Sequence, residues 1–578
     1  MRRLWPELML LGVAAAFTLS FAGGSIWLDE AFSVQVAESG WARSWELLRH
    51  DNGPPLYYLV LRGWIRAFGD GERVLRALSA LLAVAAVAPA IALGRELSGG
   101  SRAGGMAAGL LLACSAQLAL HGRAARMYAL VMLLAALSTW LWARWLRGVE
   151  RGGAGLRHRD EAAPAAPAEQ ASVAAAPAEQ VSVAAAPAEQ VSVAAAPAEQ
   201  ASAAAAPTPH LAGAPDRATL PDATRTLAAF ALVTTLGAYA HYWFAFLTLA
   251  QLAGAAVVLR RRCVPLLAAA AAGWAPFAAW TPVFLAQLRN GSRAWIPSPG
   301  PWAPLEAFAG VLGRPATIAL VALIAMLAWR RRPRRGDRDS GAGWDGAGAD
   351  HGSAAPMTAR SPLFAPALKA ALALLAVALL VPFAISLWRP LFWPVRHAAV
   401  IVPAAAALLS ASLARLLQAR ALAAVLSGVL ALRAATHAAE AQLASLREPD
   451  SDRAAAAYLM ASAAPGDAVI FVGLSGPAIT YYLRGEPLDL HAYPAEMAQH
   501  PAWIDPSRLA PADLEAEAAA LDRALRLRPV WLVWTQGDPV ATGLRARLGA
   551  RPLDRSATLR GLFHDRLERF LPHRIAAP

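Results

Sequence analysis

Residues able to do chemistry concentrate in two short stretches near the amino terminus. Trp27-Leu28-Asp29-Glu30 follows an apolar run from about Leu8 to Phe21, and Asp51-Asn52-Gly53-Pro54-Pro55-Leu56-Tyr57-Tyr58 comes after it. Two adjacent acids beside a membrane are costly to keep unless they are solvated, paired or used. Such a carboxylate can take a proton from an attacking hydroxyl, and the membrane beside it points to a lipid-borne substrate. Adjacent residues do not share one face, so Asp29 and Glu30 must point to different surroundings. Asp51 has three readings: orienting an acceptor, binding a metal, or capping a helix that starts near Pro54-Pro55. Arg126, and Arg396 in Pro394-Val395-Arg396-His397, supply the complementary cation. Guanidinium grips phosphate oxygens bidentately, although an arginine at a span end can equally be snorkelling to the interface.

The elements that position these residues are membrane spans. The chain has 578 residues, 57% of them hydrophobic, a mean hydropathy of +0.39 and a net charge of +13. That is too apolar for an ordinary soluble domain. The basic residues fall in short clusters between apolar runs and read as membrane anchors, which excludes a nucleic-acid face. We read eleven spans, near 6–26, 74–95, 103–121, 126–146, 225–240, 242–259, 264–288, 315–329, 363–388, 396–416 and 420–435. All the arginine clusters then share one side, which positive-inside makes cytoplasmic. This puts the amino terminus inside and the carboxyl terminus outside a bacterial cytoplasmic membrane. The start is read as an uncleaved helix rather than a cleaved signal, because further spans follow. Cys114 and Cys263 sit at different depths, which argues against a disulfide framework or a cysteine metal site.

Four regions result: a first membrane part at 1–147 with an outer loop at 27–73, a cytoplasmic insertion at 148–224, a second membrane part at 225–435, and an outer domain at 436–578. The insertion carries a Pro/Ala/Glu/Gln repeat with prolines at Pro167, Pro177, Pro187 and Pro197, which cannot bury a core and is expected to be disordered. A second disordered loop is expected at about 333–361. In the outer loop Trp41, Trp45, Tyr57, Trp64 and Phe68 recur at helical spacing, as in short interfacial helices. The outer domain reads as a small α/β unit, with a helix at 452–463, strands at 468–472 and 529–534, and helices at 477–483 and 512–528. It contains no phosphate-binding loop motif. The fold class is thus a mainly α polytopic membrane protein with a small α/β carboxy-terminal domain.

At Ile26-Trp27-Leu28-Asp29-Glu30-Ala31, Asp51 to Tyr58 with Trp64, Phe68-Gly69 and Arg76, Ala125-Arg126-Met127-Tyr128-Ala129-Leu130, and His241-Tyr242, the sequence resembles family 39 of the membrane-embedded C-type glycosyltransferases. That family includes the protein O-mannosyltransferases and the lipid A aminoarabinose transferase. The resemblance covers about 1–435 and implies a polyprenyl-phosphate sugar donor, Asp29 as general base with Glu30 and Asp51 nearby, and inversion at the anomeric carbon. It implies donor-phosphate contacts from Arg126, Arg396 and Tyr128, and an acceptor loop containing Tyr57 and Tyr58. Many bacterial members carry His-Pro-Pro where this chain has Gly53-Pro54-Pro55, and a glutamate where it has Ala124. His241 and Asp51 are then the candidate ligands for a divalent ion. The sugar is not legible, nor is whether the acceptor is protein, lipid or glycan. Rival readings are a C-type transferase of an oligosaccharide or phospho-group, a transporter, and a non-catalytic anchor for the outer domain.

Overall fold

The computed structural model describes residues 5–20, 24–162, 219–289, 296–309, 313–330, 364–391, 396, 398–447, 452–498, 509–535, 538–558 and 565–572. Helix α1 (Trp5–Leu19) leads into three short helices, α2 (Leu28–Glu38), α3 (Trp41–His50) and α4 (Leu56–Phe68). Helices α3 and α4 are those expected from the spacing of Trp41 to Phe68, and α2 is an additional one. Helix α5 (Glu72–Leu97) has 26 residues and is about 39 Å long at 1.5 Å per residue. Helices α6 (Arg102–Ala113) and α7 (Ala116–Gly122) form a pair bent by 54°. The bend falls where Ser115 caps α7, its hydroxyl accepting from the N–H groups of Gln117 and Leu118. Then follow α8 (Tyr128–Ala162), α9 (Thr219–Ala240), α10 (Phe244–Leu259), α11 (Val264–Trp274), α12 (Thr281–Arg289), α13 (Ala303–Ala309), α14 (Arg314–Arg330), α15 (Phe364–Ser386), α16 (Val402–Leu416) and α17 (Ala419–Arg447).

Among the described residues, five helical segments are long and apolar enough to cross a bilayer, or six if the bent pair counts as one; α1 and α16 are apolar but shorter. The chain is a multipass membrane protein. Several expected boundaries shift. Helix α8 runs on to Ala162, well past the expected end at 146; Arg144 near that end pairs with Asp222 at 3.0 Å, and Arg147 at the start of the extension pairs with Glu96 at 2.5 Å. The expected insertion at 148–224 is therefore helical at both ends; its Pro167–Pro197 repeat lies outside the described residues, as does the loop at about 333–361. Helix α16 starts at Val402 rather than 396, after a short 3-10 turn, and α17 passes the expected domain boundary at 436 without a break. Between α10 and α11 the chain turns through Arg260–Cys263, with Arg260 in the left-handed region at φ 51°.

Close packing replaces the hydrophobic effect as the force between helices in lipid. A Cβ on Gly94 of α5 would lie 2.4 Å from the Cβ of Ala108 on α6, and one on Gly109 would lie 2.5 Å from Ile91. Only glycine lets these two backbones approach so far. The bundle has two charged ends. At one, Glu7 pairs with Arg95 at 2.8 Å and Arg102 at 3.1 Å, close to the Arg147–Glu96 pair. At the other lie Asp29, Glu30, Arg76 and Arg126.

The carboxy-terminal part contains α18 (Asp452–Ser462), β1 (Ala468–Val472), α19 (Gly476–Tyr482), β2 (Asp489–Tyr493), α20 (Pro511–Ala524), β3 (Val530–Thr535), α21 (Pro539–Leu548), β4 (Leu553–Thr558) and β5 (Asp565–Phe570). Strand order is β2-β1-β3-β5-β4. Strand β1 is parallel to both neighbours, with Ile470 opposite His491 on β2 and Leu532 on β3, whereas β5 is antiparallel to β3 and β4. All five residues of β1 are buried, as its continuous apolar run requires of a central parallel strand.

Candidate active site

Asp29 and Glu30 occupy the first turn of α2, which begins where the Trp27 carbonyl accepts from the N–H groups of Glu30 and Ala31 at 3.0 Å. Acids are at home in that turn, near the unsatisfied N–H groups of the helix. The helical rotation between them then separates their roles. The Glu30 carboxylate is buried and fully engaged: it accepts from Arg76 Nε at 2.9 Å, Arg76 Nη2 at 2.6 Å and the Ala125 N–H at 2.8 Å. It faces away from Asp29 and ties α2 to α5 and to the segment leading into α8.

Asp29 faces two other arginines. Its Oδ2 lies 3.0 Å from Arg396 Nη2 and 4.0 Å from Arg126 Nε. Arg126 is fixed from the opposite side, where its Nη1 donates to the Asp29 carbonyl at 3.0 Å and to Ser33 Oγ at 3.2 Å; Ser33 in turn donates to the same carbonyl at 2.8 Å. Among the described residues, Asp29 Oδ2 and Arg126 Nε are buried without a hydrogen bond. Arg396 lies over the Trp27 ring, 5.6 Å from its centroid, and the Tyr128 hydroxyl is within its hydrogen-bonding reach.

The rest of the expected set gathers around Arg126, which feels the charges of Asp29 and Asp51 and has Tyr58 and Tyr128 as neighbours. Tyr58 donates to Asp51 Oδ2 at 2.7 Å, and burial, followed by the Asp51 charge, pushes its phenol well above the usual range. Helix α4 is preceded by Pro55 and has no side-chain cap, so Asp51 does not cap it. Gly53 matters here because a Cβ would stand 3.3 Å from Asp51 Oδ2. Tyr57 turns the other way, to Ser79 at 3.4 Å, and is fully buried.

His241 sits in the turn between α9 and α10, its ring centroid 5.8 Å from that of Tyr128. Its Nδ1 accepts from the Trp243 N–H at 3.1 Å, and burial, reinforced by Arg126, pushes its pKa down to about 4. Among the described residues no group of three histidine, cysteine or acidic side chains could hold a metal. Of the candidate pair, Asp51 accepts from Tyr58 through Oδ2 and His241 accepts from the Trp243 N–H through Nδ1.

Three contributors were not among the residues expected at the site. Ser33 lies one turn after Asp29, a spacing that helical periodicity offers. Gln287 on α12 donates to the carbonyls of Leu48 at 2.6 Å and Gly53 at 3.3 Å and accepts from Tyr242; no motif marks it. Tyr482 of α19 accepts from the Ile26 N–H at 2.6 Å and donates to Glu72, which is paired with Arg453. The carboxy-terminal domain thereby clamps the segment just before Asp29. Tyr482→Phe is expected to cost about 1–3 kcal/mol by stranding the Ile26 N–H, while Glu72 loses one hydrogen bond and keeps Arg453. Thermal unfolding would show this, and an unchanged melting temperature would deny the clamp.

No protein-family model and no curated protein matches the chain. Its fold is similar, over nearly the whole length, to that of ArnT from Cupriavidus metallidurans. The apo structure aligns over 98% of each chain with a TM-score of 0.56 at 12% identity. The structure bound to undecaprenyl phosphate aligns over 99% of each with a TM-score of 0.54 at 14% identity. An oligosaccharyltransferase from Archaeoglobus fulgidus, in complex with Zn and sulfate, gives a TM-score of 0.40 at 11% identity over 90% of this chain and 67% of that one. The resemblance to C-type membrane glycosyltransferases seen in the sequence thus extends to the fold.

Proposed function

We propose that the protein is an inverting membrane glycosyltransferase that moves a sugar from a polyprenyl-phosphate donor to an acceptor hydroxyl, with Asp29 as general base. The observation that supports this reading is the Asp29 carboxylate set between two guanidinium groups, paired at its Oδ2 with Arg396 at 3.0 Å and 4.0 Å from Arg126 Nε, which is buried without a hydrogen bond. A base and a phosphate grip within 4.0 Å of each other suit a reaction that takes a proton at one end and releases a phosphate at the other.

In the step we propose, the acceptor oxygen attacks the anomeric carbon from the face opposite the phosphate. The carbon–oxygen bond to phosphate breaks, polyprenyl phosphate departs as an anion, and Asp29 takes the hydroxyl proton. Because phosphate leaves as a stable anion, one carboxylate suffices, unlike glycosidases, whose alcohol leaving group needs an acid as well. Arg396, partly exposed and paired with Asp29 at 3.0 Å in the absence of donor, moves to the phosphate together with Arg126 and leaves the carboxylate free to act. The structure of ArnT with undecaprenyl phosphate supports a lipid phosphate as partner for this fold.

The same reading has eleven crossings, with the Glu7–Arg95–Arg102 end on the cytoplasmic side of a bacterial inner membrane and the Asp29 end and outer domain on the opposite side. The separation of charged clusters to the two bundle ends supports it. So do the exposed Trp41, Trp45 and Phe68 on α3 and α4, placed as in helices lying at a lipid interface. The bilayer holds the polyprenyl tail, and the acceptor approaches from outside.

The test is sugar transfer and binding by purified protein in lipid, across a panel of undecaprenyl-phosphate sugars. One member is expected to bind and turn over. Arg126→Ala and Arg396→Ala should each weaken binding of that donor about tenfold to a hundredfold, the worth of a charge-assisted hydrogen bond. If no donor in the panel binds, the assignment fails.

A further inference from the structure

A cavity of about 470 Å³ lies between α2 and the outer domain, apart from the Asp29 centre. Helix α2 serves both. Asp29 and Ser33 face Arg126, whereas Ala31, Val34, Gln35 and Glu38, at i, i+3, i+4 and i+7, form one wall of the cavity. The outer-domain wall comes from the carboxyl ends of the parallel strands β1 and β2, through Phe471 and Ala492, from His491 in the middle of β2, and from Thr480 and Arg484 in and after α19. The crevice at the carboxyl ends of parallel strands, where the chain passes to both sides of β1, is where open α/β sheets receive ligands. The volume is that of a small-molecule site.

The lining sets the chemistry. Its cations already have acidic partners: Arg484 pairs with Glu38 at 2.6 Å and Asp70 at 3.1 Å, and His491 Nε2 lies 3.0 Å from Asp489, which it shares with Arg528. One guanidinium shared by two carboxylates leaves no attraction for a phosphate. The neutral groups are open: among the described residues, neither the Gln35 carboxamide nor the Thr480 hydroxyl makes a side-chain hydrogen bond. Val34, Phe471 and Leu490 supply apolar surface between them. A carboxamide, a hydroxyl, an imidazole and an ion pair around an apolar wall match a ligand that is neutral, rich in hydroxyl groups and apolar on its ring faces.

We propose that this cavity is a saccharide-binding site, distinct from the reacting centre, that takes a neutral sugar unit. The binding chemistry stands without the transferase reading. Assigning the bound unit to the non-reacting part of a glycan-bearing acceptor rests on that reading.

The experiment uses the full-length protein in lipid nanodiscs and measures, by saturation-transfer NMR, binding of N-acetylglucosamine, N,N′-diacetylchitobiose, maltose and cellobiose. At least one should bind. A Gln35→Leu/Thr480→Val variant, with its fold confirmed by an unchanged melting temperature, should weaken that binding about tenfold, as expected for the loss of two neutral hydrogen bonds. Asp29→Asn should leave it unchanged. The proposal is overturned if no saccharide binds, if binding survives the double variant, or if Asp29→Asn abolishes it, since the sugar would then occupy the reacting centre. If the double variant is unstable, Gln35→Glu replaces it and should discriminate by weakening the same saccharide. Passage of radiolabel from the donor into the bound saccharide would mark it as acceptor, and binding without label as a free ligand of the same site.

Discussion

Asp29→Asn is expected to lower kcat for sugar transfer about a thousandfold, within the range that a positioned general base supplies, while the protein stays folded and keeps its donor. The geometry separates these effects. Asparagine has the volume of aspartate, and the contacts that fix Arg126 to this turn run to the Asp29 carbonyl and Ser33 rather than to the carboxylate. What disappears is the proton acceptor and the ion pair with Arg396 at 3.0 Å. Without that pair Arg396 is no longer shared between Asp29 and a donor phosphate, so donor binding should hold or tighten as kcat falls. This combination separates loss of the base from loss of binding. Steady-state kinetics beside direct donor binding would record both. Turnover within a few fold of the parent would remove Asp29 from the chemistry, and loss of donor binding would recast it as an organiser of the arginines.

Local signals were legible where they did not depend on distant partners. Strand β1 was read at 468–472 and found at Ala468–Val472, because a Pro465-Gly466-Asp467 turn and an unbroken apolar run specify a short buried strand without help. The acidic pair was legible as a candidate site and Arg126 as a candidate cation; helix α2, which carries the pair, was not read. The failures have a common cause. Arginine- and glycine-rich residues after 146 look like the end of a span, but Arg147 has Glu96 to pair with, and the helix continues. Tyr482 could be read only as part of a short helix, since its partner Ile26 lies 456 residues away in the chain. The same limit hid the job of Glu30. Sequence alone says the two acids diverge; it does not say that one of them meets Arg76.

Glu30→Gln is expected to destabilise the fold by about 3–5 kcal/mol, as removal of one partner from a buried ion pair does. The side chains of Glu30 and Arg76 are 1% and 5% exposed, so neither can turn to water for compensation. Glutamine keeps an oxygen for the Ala125 N–H, but its amide presents hydrogens to a guanidinium that has none to accept and leaves the Arg76 charge unmatched. The damage should spread to catalysis through geometry, since Ala125 precedes Arg126 and Arg76 also donates to the Ser25 carbonyl at 2.8 Å, ahead of Asp29. Pairing Glu30→Gln with Arg76→Met tests the coupling. The double variant should be less destabilised than the sum of the single ones, because the second change removes the charge the first had stranded. Unfolding in mixed micelles would measure all four proteins. The opposite result, a Glu30→Gln protein as stable as the parent yet inactive, would move Glu30 from holding the site to reacting in it. The two neighbouring acids are thus expected to fail differently: Asp29→Asn loses chemistry at full stability, whereas Glu30→Gln loses the frame on which that chemistry depends.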